Sequence, residues 1–177
     1  MDSGLLLVRV VLGGIMAAHG AQKLFGWFGG FGIAGTAGWL ESMGFKPARL
    51  HATVNGLAEL GGGVLLALGF LTPLGAAAVA GVMLVAIATV HWSKGFFNSS
   101  GGYEFNLLIV AASIALAMTG PGTISLDNLA GWNLAGPEWG LAVLGAAAVA
   151  AGAVLAMRTS SPEESQDETS DEEAVAA

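Results

Sequence analysis

The chain has 177 residues, of which 54% are hydrophobic and 11% are charged, and its mean hydropathy is +0.70. These values exclude an ordinary water-soluble globule and indicate an integral membrane protein that contacts the lipid bilayer. The net charge of −7 comes from an acidic C-terminal tail, and without a basic stripe no binding to nucleic acid is expected. The chain has no cysteine, which excludes a thiol nucleophile and a thiolate metal site within it.

Five segments approach the roughly 20 apolar residues that a helix needs to cross a bilayer. In chain order they are residues 5–25, 52–71, 74–92, 104–119 and 139–157. The fourth is the shortest, so we expect Tyr103 and Glu104 to lie in the headgroup layer or to be shielded by neighbouring helices. Between the first two segments, the apolar residues from Trp39 to Phe45 predict a short helix that lies in the membrane interface.

Five crossings place the two termini on opposite sides of the membrane, and the basic residues then set the orientation. Five of them fall on one side, namely Lys23, Lys46, Arg49, Lys94 and Arg158, whereas Arg9 lies within the first span. This asymmetry predicts a multi-pass protein of the cell membrane with an external N-terminus and a cytoplasmic C-terminus. The tail, residues 159–177, has no aromatic residue and many carboxylates, and is therefore predicted to be disordered.

Six ionisable side chains lie within or at the ends of the predicted spans. A charged side chain at the centre of a spanning helix costs about 2.5 to 3.5 kcal/mol, so each of the six needs a physical explanation. They are Arg9, His19, Lys23, Glu59, His91 and Glu104. The first three share one stripe of the first helix, so we expect that stripe to face protein. At about 1.5 Å of rise per residue, all except Arg9 lie at a similar depth near the cytoplasmic side, with His51 at the membrane surface. The pattern predicts a polar cluster in which Lys23 neutralises Glu59 or Glu104.

Two interpretations of this cluster stay open. It is either a structural contact that sets the register of the helices, or a pocket for a polar headgroup such as a quinone. As the quinone-binding residues we consider His19, Glu59, His91 and Glu104. Haem and metal are disfavoured, because His51 and His91 lie at the membrane edge while His19 is deeper. Small residues at helical spacing predict close helix packing at Gly13 with Ala17, Gly14 with Ala18, Gly61 to Gly63, and Gly145, Ala148 and Gly152.

Several segments carry a resemblance to a known family. They read LLLVRVVLGGIMAAHGAQKLFG, ELGGGVLLALGFLTPLG, VHWSKGFF and GGYEFNLLIVAASIALAMTGPGTISLD. From residue 5 to 127 the chain strongly resembles the DoxX family of small membrane proteins. The positions that match the family pattern are Arg9, His19, Gly20, Lys23, Glu59, His91, Gly95, Phe96 and Glu104. The resemblance implies a membrane partner in oxidoreductase systems; similar proteins include a subunit of a thiosulfate:quinone oxidoreductase and a member that tethers a superoxide dismutase and a sulfurtransferase.

The expected fold is an all-α membrane protein. Residues 1–127 form a four-span core around the polar cluster, residues 128–158 add an external loop and a peripheral fifth helix, and residues 159–177 form the tail. The expected function is a membrane subunit of an oxidoreductase system, linked to a quinone. The alternatives are a non-catalytic anchor or assembly factor that recruits soluble redox enzymes and, less favoured, a small transporter. Whether the chain is itself an enzyme, its partner enzymes and its oligomeric state stay open.

Overall fold

The structure, a computed structural model, describes residues 2–159, and every regular element that it contains in this range is a helix or a helical turn. The helices are α1 (Asp2–Phe25), α2 (Gly32–Ser42), α3 (Ala48–Leu68), α4 (Thr72–Ala86), α5 (Glu104–Thr119), α6 (Leu126–Leu129) and α7 (Pro137–Ala156). A π-helical turn, Ile87–His91, and a 3-10 turn, Trp92–Lys94, extend α4. Two further 3-10 turns, Trp27–Gly29 and Asn98–Ser100, lie in the loops. The all-α membrane fold is confirmed, and the predicted disorder of the tail falls almost wholly outside the described residues.

Three segments of the described chain are long and apolar enough to cross a membrane. They are Asp2–Phe25, Thr72–Lys94 and Pro137–Ala156. Helix α5 is apolar but has 16 residues, and α3 has 21 residues with its charged and polar side chains all among the first twelve. The count of five crossings therefore stays a prediction. A short helix does follow α1 at Gly32–Ser42, as the sequence predicts, although no membrane is present to define an interface.

The boundaries follow local chemistry. Helix α3 begins four residues earlier than predicted, directly after Pro47, a residue that is tolerated at helix starts because it has no N–H to satisfy. It ends at Gly69, which has a φ of 61°, the left-handed conformation that glycine adopts without strain. There the Gly69 N–H donates to the Leu66 carbonyl and the Phe70 N–H donates to the Leu65 carbonyl. This cap turns the chain sharply, so α3 and α4 run side by side in opposite directions.

Helix α4 lies at the centre of the bundle and packs against α3, α5 and α7, while α1 packs along the other side of α3. Val79, Ala76 and Ala80 on α4 are fully buried. Helix α7 packs one face against α4 and α5, with Val143 and Ala147 almost fully buried. The small side chains of α7 and α4 allow this close approach, which hydropathy alone does not reveal.

The C-terminal end of α7 is also fixed to the loop between α2 and α3. Arg158 Nε donates a hydrogen bond of 2.7 Å to the Met43 carbonyl, and the Thr159 N–H donates one of 2.9 Å to the Gly44 carbonyl. These bonds join the two parts of the chain that the sequence places in separate units. They also bring α2, α3 and α7 together around one end of α4.

Candidate functional site

A buried ion pair joins α1 and α3. Lys23 Nζ lies 2.5 Å from Glu59 Oε1 and 2.7 Å from the side-chain oxygen of Asn55, one turn earlier on α3. The Glu59 side chain is 3% exposed and that of Lys23 is 25% exposed. Glu59 Oε2 is buried and has no hydrogen-bond partner within residues 2–159. The pair therefore satisfies one carboxylate oxygen and leaves the other available to a proton or a ligand.

Glycines on both helices make this contact possible. A methyl group on Gly20 of α1 would overlap the backbone of Leu60, and one on Gly56 of α3 would come within 2.7 Å of the Leu24 side chain. Without these glycines the helix axes would be forced apart, and the Lys23 ammonium would lose its reach to the carboxylate. The packing of small residues and the ion pair are thus parts of one interface.

The other predicted members of the cluster do not join this pair. His19 is exposed, so the expectation that its side chain faces protein is wrong. His91 Nδ1 forms a hydrogen bond of 2.6 Å with the Gly101 carbonyl, and Glu104 Oε1 accepts one of 2.8 Å from the Asn98 N–H. Both side chains thereby organise the loop between α4 and α5. Helical rise predicts the depth of a residue but not the direction in which its side chain points around the helix axis. That direction separates His19, His91 and Glu104 from the Lys23–Glu59 pair.

Arg9 belongs to a second polar site at the opposite end of the bundle. It is 1% exposed, and its Nη2 donates a hydrogen bond of 2.6 Å to the Ile124 carbonyl. Asp127, fully buried nearby, accepts bonds from the N–H groups of Leu71 and Thr72 and from the Thr72 hydroxyl. Asp127 therefore caps the start of α4 from a distant part of the chain and offsets the Arg9 charge. The sequence signal is weak, since Asp127 lies in the short helix α6, outside every predicted span.

A cavity of about 160 Å³ lies between α2, α3, α4 and α7. Its lining is almost entirely small or aliphatic, apart from Phe45 and two polar residues, His51 and Asn55. His51 is 8% exposed and its Nε2 atom is buried without a hydrogen-bond partner in the described chain, while its predicted depth at the membrane surface stays a prediction. Asn55 connects the cavity to the ion pair through its bond with Lys23. Sequence reasoning missed this site because its walls come from four separate helices.

The ionisable side chains of the described residues also show whether a metal ion could be held. Between residues 2 and 159, the structure places no group of three or more His, Asp or Glu side chains where they could hold a metal ion. The polar groups that the site offers are instead one free carboxylate oxygen, one free imidazole nitrogen and one amide. These atoms suit hydrogen bonding to an oxygen-bearing organic ligand or the transfer of a proton.

A bundle of long apolar helices with an ion pair buried between two of them is the arrangement of an integral membrane protein. The DoxX family profile matches residues 4–92, half of the chain. The chain belongs to the DoxX family, as its sequence motifs indicate.

Curated relatives support this assignment. The chain is 32% identical over 128 residues to "Inner membrane protein YqjF" of Escherichia coli, covering 72% of this chain and 92% of that protein. It is 34% identical over 126 residues to "Putative oxidoreductase CatD" of Bacillus subtilis, covering 71% of this chain and 86% of that protein. "Inner membrane protein YphA" of Escherichia coli is 29% identical over 129 residues, which are 70% of this chain and 88% of that protein. No solved structure matches the chain.

Proposed function

We propose that the chain is the membrane subunit of a quinone-linked oxidoreductase system. The observation that carries this proposal is the buried Lys23–Glu59 pair, whose second carboxylate oxygen has no hydrogen-bond partner in the described chain. A buried carboxylate with one free oxygen suits the handling of a proton inside a membrane protein. The name of one relative, "Putative oxidoreductase CatD", supports a redox role. A bound quinone would accept electrons supplied by an associated redox enzyme.

In this proposal the chain's own residues bind and position the quinone, and they move one proton. Lys23 holds Glu59 through Oε1, which leaves Oε2 as the atom that takes up and releases a proton. Asn55 fixes the Lys23 ammonium from the side of the cavity. His91 and Glu104 serve by shaping the loop between α4 and α5 rather than by contact with a ligand.

The test is replacement of Glu59 by Gln, which keeps the shape of the side chain but removes its proton chemistry. The protein is purified from its own membranes, the co-purified quinone is extracted and quantified, and quinone reduction is measured in the membranes. We expect Glu59→Gln to lose bound quinone and quinone-dependent activity while retaining its thermal unfolding temperature within a few degrees. Glu41→Gln, on an exposed position of α2, is the matched control. Unchanged quinone content and activity in Glu59→Gln would refute the proposal.

A second candidate is a non-catalytic anchor that recruits soluble redox enzymes to the membrane. The observation that favours it is that the Lys23–Glu59 pair also joins α1 to α3, and so has a structural use without any ligand. The same experiment separates the two functions. An anchor predicts that no quinone is recovered with the wild type, and that Glu59→Gln lowers the unfolding temperature and the recovery of partner enzymes together.

We propose also that the N-terminus is external and the C-terminus cytoplasmic. Consistent with this orientation, Arg158 at the end of α7 binds the Met43 carbonyl in the loop that precedes Lys46. Because α1 and α4 run in the same direction, Lys23 and Lys94 lie towards that same end of the bundle. Basic residues gathered at one end favour placing it in the cytoplasm.

A further inference from the structure

The charges of the chain are divided unequally between the two ends of the bundle. The net charge of −7 equals the charge of the seven carboxylates in residues 163–173, so the rest of the chain is formally neutral. Within that neutral part, the half of the bundle that holds the Lys23–Glu59 pair carries five basic and three acidic side chains, and the opposite half carries one basic and three acidic ones. The acidic residues are Glu41, Glu59 and Glu104 in the first half and Asp2, Asp127 and Glu138 in the second. An excess of positive charge therefore lies at the end where α3 begins and α7 finishes.

Three of the basic side chains lie around the loop between α2 and α3. Lys46 is in this loop and Arg49 is in the first turn of α3, and both are exposed. Neither side chain forms an ion pair or a hydrogen bond within the described part of the chain, and Glu41, the one acidic residue of α2 and this loop, pairs with neither. Arg158 comes to the same place, where its Nε donates to the Met43 carbonyl. We call Lys46, Arg49 and Arg158 the basic surface.

The C-terminal segment leaves the bundle beside this basic surface. The N–H and the hydroxyl of Thr159 both donate to the Gly44 carbonyl, with distances of 2.9 and 3.0 Å. Phe45 and Arg158 lie side by side in an antiparallel bridge. Gly44 is two residues before Lys46, so their Cα atoms are at most about 7 Å apart. The point from which the acidic segment starts is thus fixed next to the exposed cations.

The acidic segment can reach the basic surface over a short length of chain. Residues 163–173 contain seven carboxylates and no Lys or Arg. The first of them, Glu163, is four residues beyond Thr159, which is at most about 14 Å along an extended chain. Such a short connection keeps the effective concentration of the carboxylates near the cations in the millimolar range. Exposed ion pairs are individually weak, so binding depends on this local concentration and on several pairs forming together.

We propose that residues 163–173 bind to the basic surface formed by Lys46, Arg49 and Arg158. An anionic lipid headgroup offers the same charge, but the acidic segment is attached beside the surface and an anionic leaflet repels the segment from the rest of the membrane. The bound segment covers the exposed cations and competes with anionic headgroups for them. The inference does not depend on the proposed redox function, because none of these residues belongs to the Lys23–Glu59 site.

The test measures the mobility of a nitroxide label at Ser170→Cys by electron paramagnetic resonance, in the full chain, which has no other cysteine. The protein is placed in nanodiscs of neutral phosphatidylcholine at about 0.01 M salt, where the screening length is about 30 Å. We expect the variant Lys46→Gln/Arg49→Gln to shorten the rotational correlation time of the label by at least about 2-fold, because it removes two of the three cations. At about 1 M salt, where the screening length falls to about 3 Å, the difference should disappear.

Two controls separate charge from other effects of the substitutions. Lys46→Arg/Arg49→Lys changes the same exposed positions but keeps both charges, so the label should stay as slow as in the wild type. In a chain whose seven tail carboxylates are replaced by amides, the label should be fast, and Lys46→Gln/Arg49→Gln should have no further effect. Both substituted positions are exposed, so the thermal unfolding temperature should be the same in all these variants.

Each outcome supports or overturns the inference. If the wild type and Lys46→Gln/Arg49→Gln give the same label mobility at low salt, the segment does not bind at this surface and the inference is wrong. If the label is slow in phosphatidylcholine and is released when phosphatidylglycerol is added, headgroups and the segment compete for the same cations, as proposed. If the label is fast in phosphatidylcholine and retention of phosphatidylglycerol through purification depends on Lys46 and Arg49, the surface binds lipid instead and the inference is overturned.

Discussion

The Lys23–Glu59 pair allows a quantitative test of how charge is accommodated between α1 and α3. Replacing Lys23 with Met orphans a carboxylate that is 3% exposed, and removing one member of a buried pair costs about 3 to 5 kcal/mol. Replacing Glu59 with Leu orphans an ammonium that is 25% exposed, two residues before the end of α1. Because Lys23 can extend its charge toward the headgroups, we expect a smaller cost, about 1 to 3 kcal/mol.

The double variant Lys23→Met/Glu59→Leu removes both charges and fills the space with apolar atoms. Its stability should lie within about 1 kcal/mol of the wild type, because a buried ion pair is often nearly neutral relative to well-packed hydrophobic side chains. The two single effects should therefore be non-additive by about 3 kcal/mol or more. The assay is reversible unfolding in mixed micelles titrated with a denaturing detergent. Additive single effects would refute the reasoning and show that the two groups do not interact across this interface.

Two further predictions concern packing and orientation. Gly13→Ala should destabilise the bundle by about 1 to 3 kcal/mol, because the new methyl group would overlap the Gly63 carbonyl. The control Gly14→Ala places a methyl group that meets no atom within 4 Å, so it should be neutral or stabilising in the same unfolding assay. Equal effects of the two variants would contradict the α1–α3 interface. Because the chain has no cysteine, Asn98→Cys and Asn133→Cys can each be labelled alone in intact cells with a membrane-impermeant maleimide. We expect label at residue 133 only, and label at residue 98 only would reverse the proposed orientation.

Part of the site was predictable from residue types alone. Lys23 and Glu59 are charges in apolar helices, and few arrangements other than mutual neutralisation make such charges tolerable, so their pairing was among the predicted options. Close helix packing was likewise predicted at Gly13 and at Gly61 to Gly63, and the structure shows that a methyl group on Gly13 or Gly63 would clash with the facing helix. By contrast, Gly14 and Gly61 are also glycines at helical spacing, but a methyl group added at either position would meet no atom within 4 Å. Composition marks candidates for contact and does not decide which of them point inward.

The burial of Asp127 and His51 shows why the rest was not predictable. Asp127 caps α4 across 55 positions of sequence, from Asp127 to Thr72, and nothing in its local sequence indicates that partner. Its depth placed His51 at the membrane surface, but depth gives no sign that α2, the following loop and α7 cover the side chain. Long-range contacts of this kind depend on how several helices rotate and pack at once, which hydropathy and helical periodicity do not specify.

The sequence by itself determined that this is an all-α membrane protein of the DoxX family. The physical reason is that a bilayer demands long apolar stretches with internally satisfied backbones and makes every buried charge conspicuous. Only the tertiary structure decided which of those charges meet. It separated His19, His91 and Glu104 from the Lys23–Glu59 pair, packed α7 against α4 and α5, and opened beside that pair a cavity lined by His51 and Asn55. Rise along a helix sets depth, but the direction of each side chain around its helix is set by packing, and direction is what assembles a site.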